Sequence, residues 1–126
     1  MKLRHLFTVN IVIALFFGAT CTLFPAFVFQ LYGVSTNGAG LWTARLLGGS
    51  LLGFATLMGF GRTAPSAEAR RAVALALLVQ DAVGFIASLI FQLQGDVNGF
   101  GWISAGLYAV LALGYAWFLF LRPQDC

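Results

Sequence analysis

Two ionisable residues, Arg45 and Asp81, stand inside long apolar runs. Within the hydrocarbon layer of a membrane such a side chain costs about 2.5 to 3.5 kcal/mol on insertion scales, so each needs a partner, a route to the interface or a function. Helical spacing gathers small and polar residues beside them. Arg45, Gly49, Gly53 and Thr56 fall on one stripe, and Asp81, Gly84, Ser88 and Gln92 on another. The Gly49-x-x-x-Gly53 pair lets a neighbouring backbone come close. Asn10, Ala14, Gly18 and Cys21 form a third stripe, and Ser104, Tyr108 and Tyr115 a fourth. If the four face one another, they enclose a candidate intramembrane polar site of Arg45, Asp81, Gln30, Gln92, Tyr108 and Tyr115, with Gly49, Gly53 and Gly84 as helix-packing positions.

Depth limits what this site can do. At 1.5 Å per helical residue, Arg45 lies about 6 Å below the outer boundary and Asp81 roughly 18 Å below it, so a direct ion pair needs offset helices or an inward-reaching Arg45. Gln30 and Gln92 match the depth of Arg45 better, while Ser50, Tyr108 or Tyr115 are placed to satisfy Asp81. Either Arg45 snorkels outward and Asp81 is protonated or hydrogen-bonded as a tie between helices, or the two line a cavity, a proton path or a headgroup site. Catalysis has little to work with. The single histidine, His5, precedes the first apolar run and cannot supply paired haem ligands, no His, Cys or carboxylate cluster has metal spacing, and no phosphate-binding glycine loop opens a helix. The chain is therefore expected to be non-enzymatic, with no metal and no cofactor of its own, and any bound molecule is expected to be a lipid or a quinone.

The elements that must position these residues are membrane spans. Hydrophobic residues are 60% of the 126-residue chain and charged ones only 9%, with a mean hydropathy of +0.92. A small water-soluble domain needs far more charge on its surface, so a soluble enzyme, a DNA-binding module and a disordered tail are excluded. Apolar runs predict four helices in a single transmembrane domain, at about 6–31, 41–60, 72–93 and 102–121, the first tilting, kinking or emerging near Pro25. Turns are expected over 32–40 and 94–101, and the polar stretch 61–71 offers Ser66 as a helix N-cap followed by Glu68 in the first turn. The fold class is an all-α integral membrane four-helix bundle.

Net charge is +3, but the basic residues form no patch that nucleic acid would need. Instead Lys2, Arg4, Arg62, Arg70, Arg71 and Arg122 all fall on the side that carries both termini and the middle loop, and the opposite loops carry no Lys or Arg. The positive-inside rule then puts both termini in the cytoplasm, with Tyr32, Trp42 and Trp102 at the outer interface and Trp117 towards the inner one. Lys2, Arg4 and His5 ahead of an apolar stretch resemble a signal peptide, but the bulky Phe17 three positions from a cut after Ala19 argues for a retained helix. Cys21 and Cys126 fall on opposite sides and are not expected to form a disulfide.

Phe29-Gln30-Leu31-Tyr32-Gly33 recurs sixty-two positions later as Phe91-Gln92-Leu93-Gln94-Gly95, and Asn37-Gly38-Ala39-Gly40 sixty-one positions later as Asn98-Gly99-Phe100-Gly101. This suits either a duplicated helical hairpin with its pseudo-twofold axis along the membrane normal or turn chemistry repeated by chance. Finally, Pro25 to Gly33 followed by Trp42-Thr43-Ala44-Arg45-Leu46-Leu47-Gly48-Gly49 resembles the small four-span bacterial membrane proteins of the DoxX-like type, over about half the chain. The resemblance implies a four-helix bundle in a bacterial cytoplasmic membrane and carries no catalytic residues with it. Two functional expectations follow: an accessory subunit whose Phe-rich outer surface packs on other membrane-protein subunits, such as those of an electron-transfer or photosynthetic complex, or a stand-alone carrier of a lipid or quinone with Arg45 at its mouth. Proton movement through Asp81 is a third.

Overall fold

The computed structural model describes residues 2–126. Among them are five α-helices and no strand. Helix α1 spans Leu3–Leu23 and α2 spans Pro25–Leu31, with Phe24 between them at φ −132° and ψ 57°. Pro25 causes this break: it donates no N–H, and its ring pushes the preceding residue out of helical geometry. The same proline starts α2 well, because its fixed φ suits the first helical position.

Asn37 caps α3 (Gly38–Thr63) by accepting from the Gly40 N–H at 3.0 Å. Ser66 caps α4 (Ala67–Gln94) by accepting from the Ala69 N–H at 3.3 Å, with Glu68 in the first turn. Helix α5 (Gly101–Ala116) continues as a wider turn over Trp117–Leu121, in which the Arg122 N–H reaches back five residues to the Trp117 carbonyl at 3.0 Å. The Arg122 guanidinium carbon lies 5.9 Å from the Trp117 ring centroid. Four helical segments, Leu3–Leu23, Gly38–Thr63, Ala67–Gln94 and Gly101–Leu121, are long and apolar enough to cross a bilayer, the shortest having 21 residues. At 1.5 Å each these reach about 31 Å, the thickness of the hydrocarbon core. The protein is a multi-pass membrane helical bundle.

Helix α1 lies along α3 and α4 along α5, and the two pairs meet each other over fewer residues. At one end, Leu3, Phe7, Met58, Leu77, Tyr115 and Phe118 pack into a shared core. The Arg70 guanidinium ties that end by donating to the carbonyls of Ala64 and Cys126, the latter at 3.1 Å. At the other end the turns are tied by Asn98, whose N–H and side-chain amide donate to the carbonyls of Tyr32 and Leu31, each at 3.0 Å. The structure thus runs down-and-up twice, as four spans require.

Both copies of the Phe-Gln-Leu-x-Gly sequence end their helix in the same way. Gly33 at φ 68° and Gly95 at φ 80° are the two positive-φ glycines among the described residues. Val34 N–H bonds the Phe29 carbonyl and Asp96 N–H that of Phe91, while Gly33 and Gly95 N–H bond the carbonyls of Gln30 and Gln92. This is the Schellman closure, repeated sixty-two positions apart. Alanine at either glycine meets left-handed strain, and at Gly33 its Cβ also comes within 3.1 Å of the Asn98 amide nitrogen, whereas at Gly95 it finds open space. Gly95→Ala is expected to lose about 1 kcal/mol and Gly33→Ala more, read as the order of their unfolding midpoints in mild detergent.

One helix face differs from expectation. Gly49, Gly53, Thr56 and Arg45 are exposed, and a Cβ on either glycine has nothing within 4 Å. The buried positions of α3 are instead Ala44, Gly48, Ala55, Met58 and Gly61, a rotation of about 100°, one residue. Gly48 is where the backbones meet: a Cβ there would stand 2.7 Å from both the Gly18 carbonyl oxygen and the Thr22 nitrogen. Adjacent glycines at 48 and 49 offer two small-residue faces, and the helix takes the one that turns Arg45 out of the apolar interior.

Candidate functional site

Between the two helical pairs lies a cavity of about 260 Å³. Its base rests on a polar tie. The Asn10 side-chain amide donates to the Tyr115 hydroxyl at 2.8 Å, and that hydroxyl donates to the Met58 sulfur at 3.6 Å. Asn10 and Met58 line the cavity, whereas Tyr115 sits beneath it, fully buried and 5.9 Å from the Phe7 ring centroid. At the opposite end, the hydroxyls of Tyr32 and Ser104 share a hydrogen bond that joins the end of α2 to the first turn of α5. The Tyr32 ring also meets Phe100 edge-on, with centroids 5.2 Å apart. The cavity therefore runs from its Tyr115 floor towards the end of the bundle whose loops carry no Lys or Arg.

Asp81 is in its wall. The residue is 2% exposed, and its Oδ2 has no hydrogen-bond partner among the described residues. None of the residues expected to satisfy it does so. Ser50 is exposed on α3 and donates to the Leu46 carbonyl at 3.1 Å, and Tyr115 is committed to Asn10 and Met58. Tyr108 lies with its ring against Gly84, where an added Cβ would stand 2.5 Å from Cε1, and its hydroxyl makes no hydrogen bond among the described residues. Asp81 is thus not a hydrogen-bonded tie between helices.

Of the six residues expected to form the polar site, Asp81 and Tyr108 line the cavity and the others do not. Arg45 is exposed and makes no ion pair or hydrogen bond among the described residues, so it is neither at the cavity mouth nor a partner of Asp81. Gln30 is exposed on α2. Gln92 supports the outer turn, donating to the Asn98 carbonyl at 3.1 Å while its Oε1 is buried without a partner. The small and polar faces of α1 and α5 do point inward, as Asn10, Ala14, Gly18 and Cys21 are buried and Ser104 lines the cavity. Gln80 was not anticipated. It stands four and eight residues before Gly84 and Ser88, and that i, i+4, i+8 spacing would have placed it on the cavity wall with Ser88.

The rest of the wall is apolar and aromatic, including Phe17, Phe54 and Leu111, and none of the lining residues is Lys, Arg or His. A cavity of 150 Å³ takes a benzene ring, so this one takes about ten non-hydrogen atoms. Compared with known proteins, the chain matches no family model, no curated protein and no solved structure.

Proposed function

We propose that this protein holds a small, mostly apolar molecule between its two helical pairs and does not transform it. The observation that carries this reading is an apolar cavity between the spans with one buried, hydrogen-bond-deficient carboxylate in its wall. Ligand sites share that pattern of greasy walls and a few polar groups that fix orientation. Size narrows the choice: a single ring with short substituents fits, whereas a diacyl lipid or a tailed quinone must leave its chains outside, among the exposed side chains of the bundle. Six cations gathered at one end favour an orientation with that end in the cytoplasm of a bacterium.

Ser88 of α4 is half-buried and lines the cavity, so leucine there occupies the ligand's space from a helix face that is otherwise unchanged. Purified gently and measured by native mass spectrometry, the wild-type protein is expected to carry a bound small molecule. Ser88→Leu is expected to lose it while keeping its helical circular dichroism. Equal occupancy in both proteins, or none in either, sinks the reading.

A second reading, as an accessory subunit, draws on the outward face of α3. There Arg45, Gly49 and Gly53 leave a smooth, unoccupied strip on which another helix can lie closely. The A-R-x-x-G start of α3, which resembles that of DoxX-like proteins, suits both uses at once: Ala44 and Gly48 are buried, and Arg45 faces out. Isolation from native membranes as a particle far larger than 13.5 kDa is the expected result on this reading, and a lone chain removes it.

A further inference from the structure

Resting on the binding reading above, we infer that the molecule held in the cavity is a small organic cation, a protonated amine that donates a hydrogen bond to Asp81. The argument starts from what the carboxylate lacks. An ionised Asp accepts hydrogen bonds and donates none, and a buried charge is tolerated only when it is paired or hydrogen-bonded. Here the protein supplies no such partner. One N–H of the Asn10 amide goes to Tyr115, the Ser104 hydroxyl shares its hydrogen bond with Tyr32, Gln80, Ser88 and Tyr108 line the cavity without a bond to Asp81, and Arg45 faces outward. No cationic residue lines the cavity.

A ligand that completes this site must bring a donor, and a charged donor serves best because N–H to carboxylate bonds are about twice as strong as neutral ones. The walls agree with that charge. Phe17, Tyr32, Phe54 and Tyr108 all line the cavity, and aromatic faces attract ammonium groups, the more so where water is excluded. An oxidised quinone or an ester offers only acceptors and would set oxygen against the Asp81 oxygen. Tyr108, which also lines the cavity and whose hydroxyl is unengaged among the described residues, offers an acceptor for a second N–H. About ten non-hydrogen atoms leaves room for one aromatic ring and a short aminoalkyl arm.

The test uses three probes of similar size: 2-phenylethylamine, the neutral 2-phenylethanol and 1,4-benzoquinone. Each is titrated calorimetrically at neutral pH into the full chain in lipid nanodiscs, with empty nanodiscs as the partition blank. The amine is expected to bind tighter than the alcohol by about tenfold or more, and Asp81→Asn to erase that preference while leaving weak binding of the alcohol. Alcohol or benzoquinone binding as tightly as the amine in the wild type overturns the cation assignment and leaves a neutral-ligand site standing. Heat from none of the three overturns both the assignment and the binding reading. Should Asp81→Asn fail to fold, the wild-type ranking of the three probes still decides.

Discussion

Gly48→Ala is expected to cost about 1 to 3 kcal/mol and to separate α1 from α3. The new methyl group has nowhere to go. Its position lies 2.7 Å from the Gly18 carbonyl oxygen and the Thr22 nitrogen, both backbone atoms of a helix that is held along its length. Relief requires the two helices to move apart, which sacrifices the contacts around Ala14, Ala44 and Ala55 as well. In lipid this loss is not offset by the hydrophobic effect, because side chains leaving the interface meet hydrocarbon, so close packing itself is what holds the pair together. Gly49→Ala is the control. One residue along, the methyl meets nothing within 4 Å, and the better helix propensity of alanine stabilises by up to about 1 kcal/mol. Unfolding by sodium dodecyl sulfate, followed by circular dichroism, is expected to rank the proteins Gly49→Ala, wild type, Gly48→Ala. The reverse order places α3 on its other face.

The larger loss is expected at Tyr115, where alanine should cost about 3 to 5 kcal/mol. Tyr115 is wholly buried between Phe7, Asn10 and Met58 at the junction of α1, α3 and α5. Removing the ring hollows the packed half of the bundle and strands the Asn10 amide away from water. Tyr115→Phe separates the two effects, since the ring stays and only the hydroxyl goes. That change is expected to cost about 0.6 to 2 kcal/mol, the range for interhelical hydrogen bonds in membranes. Pairing it with Asn10→Leu is expected to recover part of the loss, because neither partner is then left unsatisfied. The alanine variant also extends the cavity through its floor. A probe with a second ring, excluded from the wild type, should then bind. If Tyr115→Ala unfolds no more easily than the wild type, the floor of the cavity is not built as described.

Membrane residence and the count of spans are legible in the sequence because lipid imposes a local rule. About twenty apolar residues must satisfy their own backbone groups as helix, whatever lies beside them. The start of α4 at Ser66 and the break ahead of Pro25 are local in the same sense, each decided by one side chain acting on its own backbone; the Asn37 cap of α3 is equally local but lies within 32–40, which reads as a turn in the sequence. So are the two Schellman closures, whose glycines recur at matching places in the chain. Stripes carrying a single polar cluster, such as Asn10 to Cys21, also point where their pattern says.

Tertiary structure decided which face of α3 turns inward, and with it the composition of the site. Gly48 and Gly49 give that helix two nearly equivalent small-residue faces, and only the fit against Gly18 and Thr22 of α1 chooses between them. That choice sends Arg45 to the outer face of the bundle and leaves Asp81 facing a cavity with no cation in its wall. Spacing along one helix fixes which residues share a face, but the rotation of that helix about its axis is set by contacts with neighbours remote in the chain. For this protein the sequence determined four membrane helices, but not all their limits: the first span stops at Leu23 and not at 31, and the second and third helices start at Gly38 and Ala67 and not at 41 and 72. Packing alone determined that Asp81 would be buried among them without a partner.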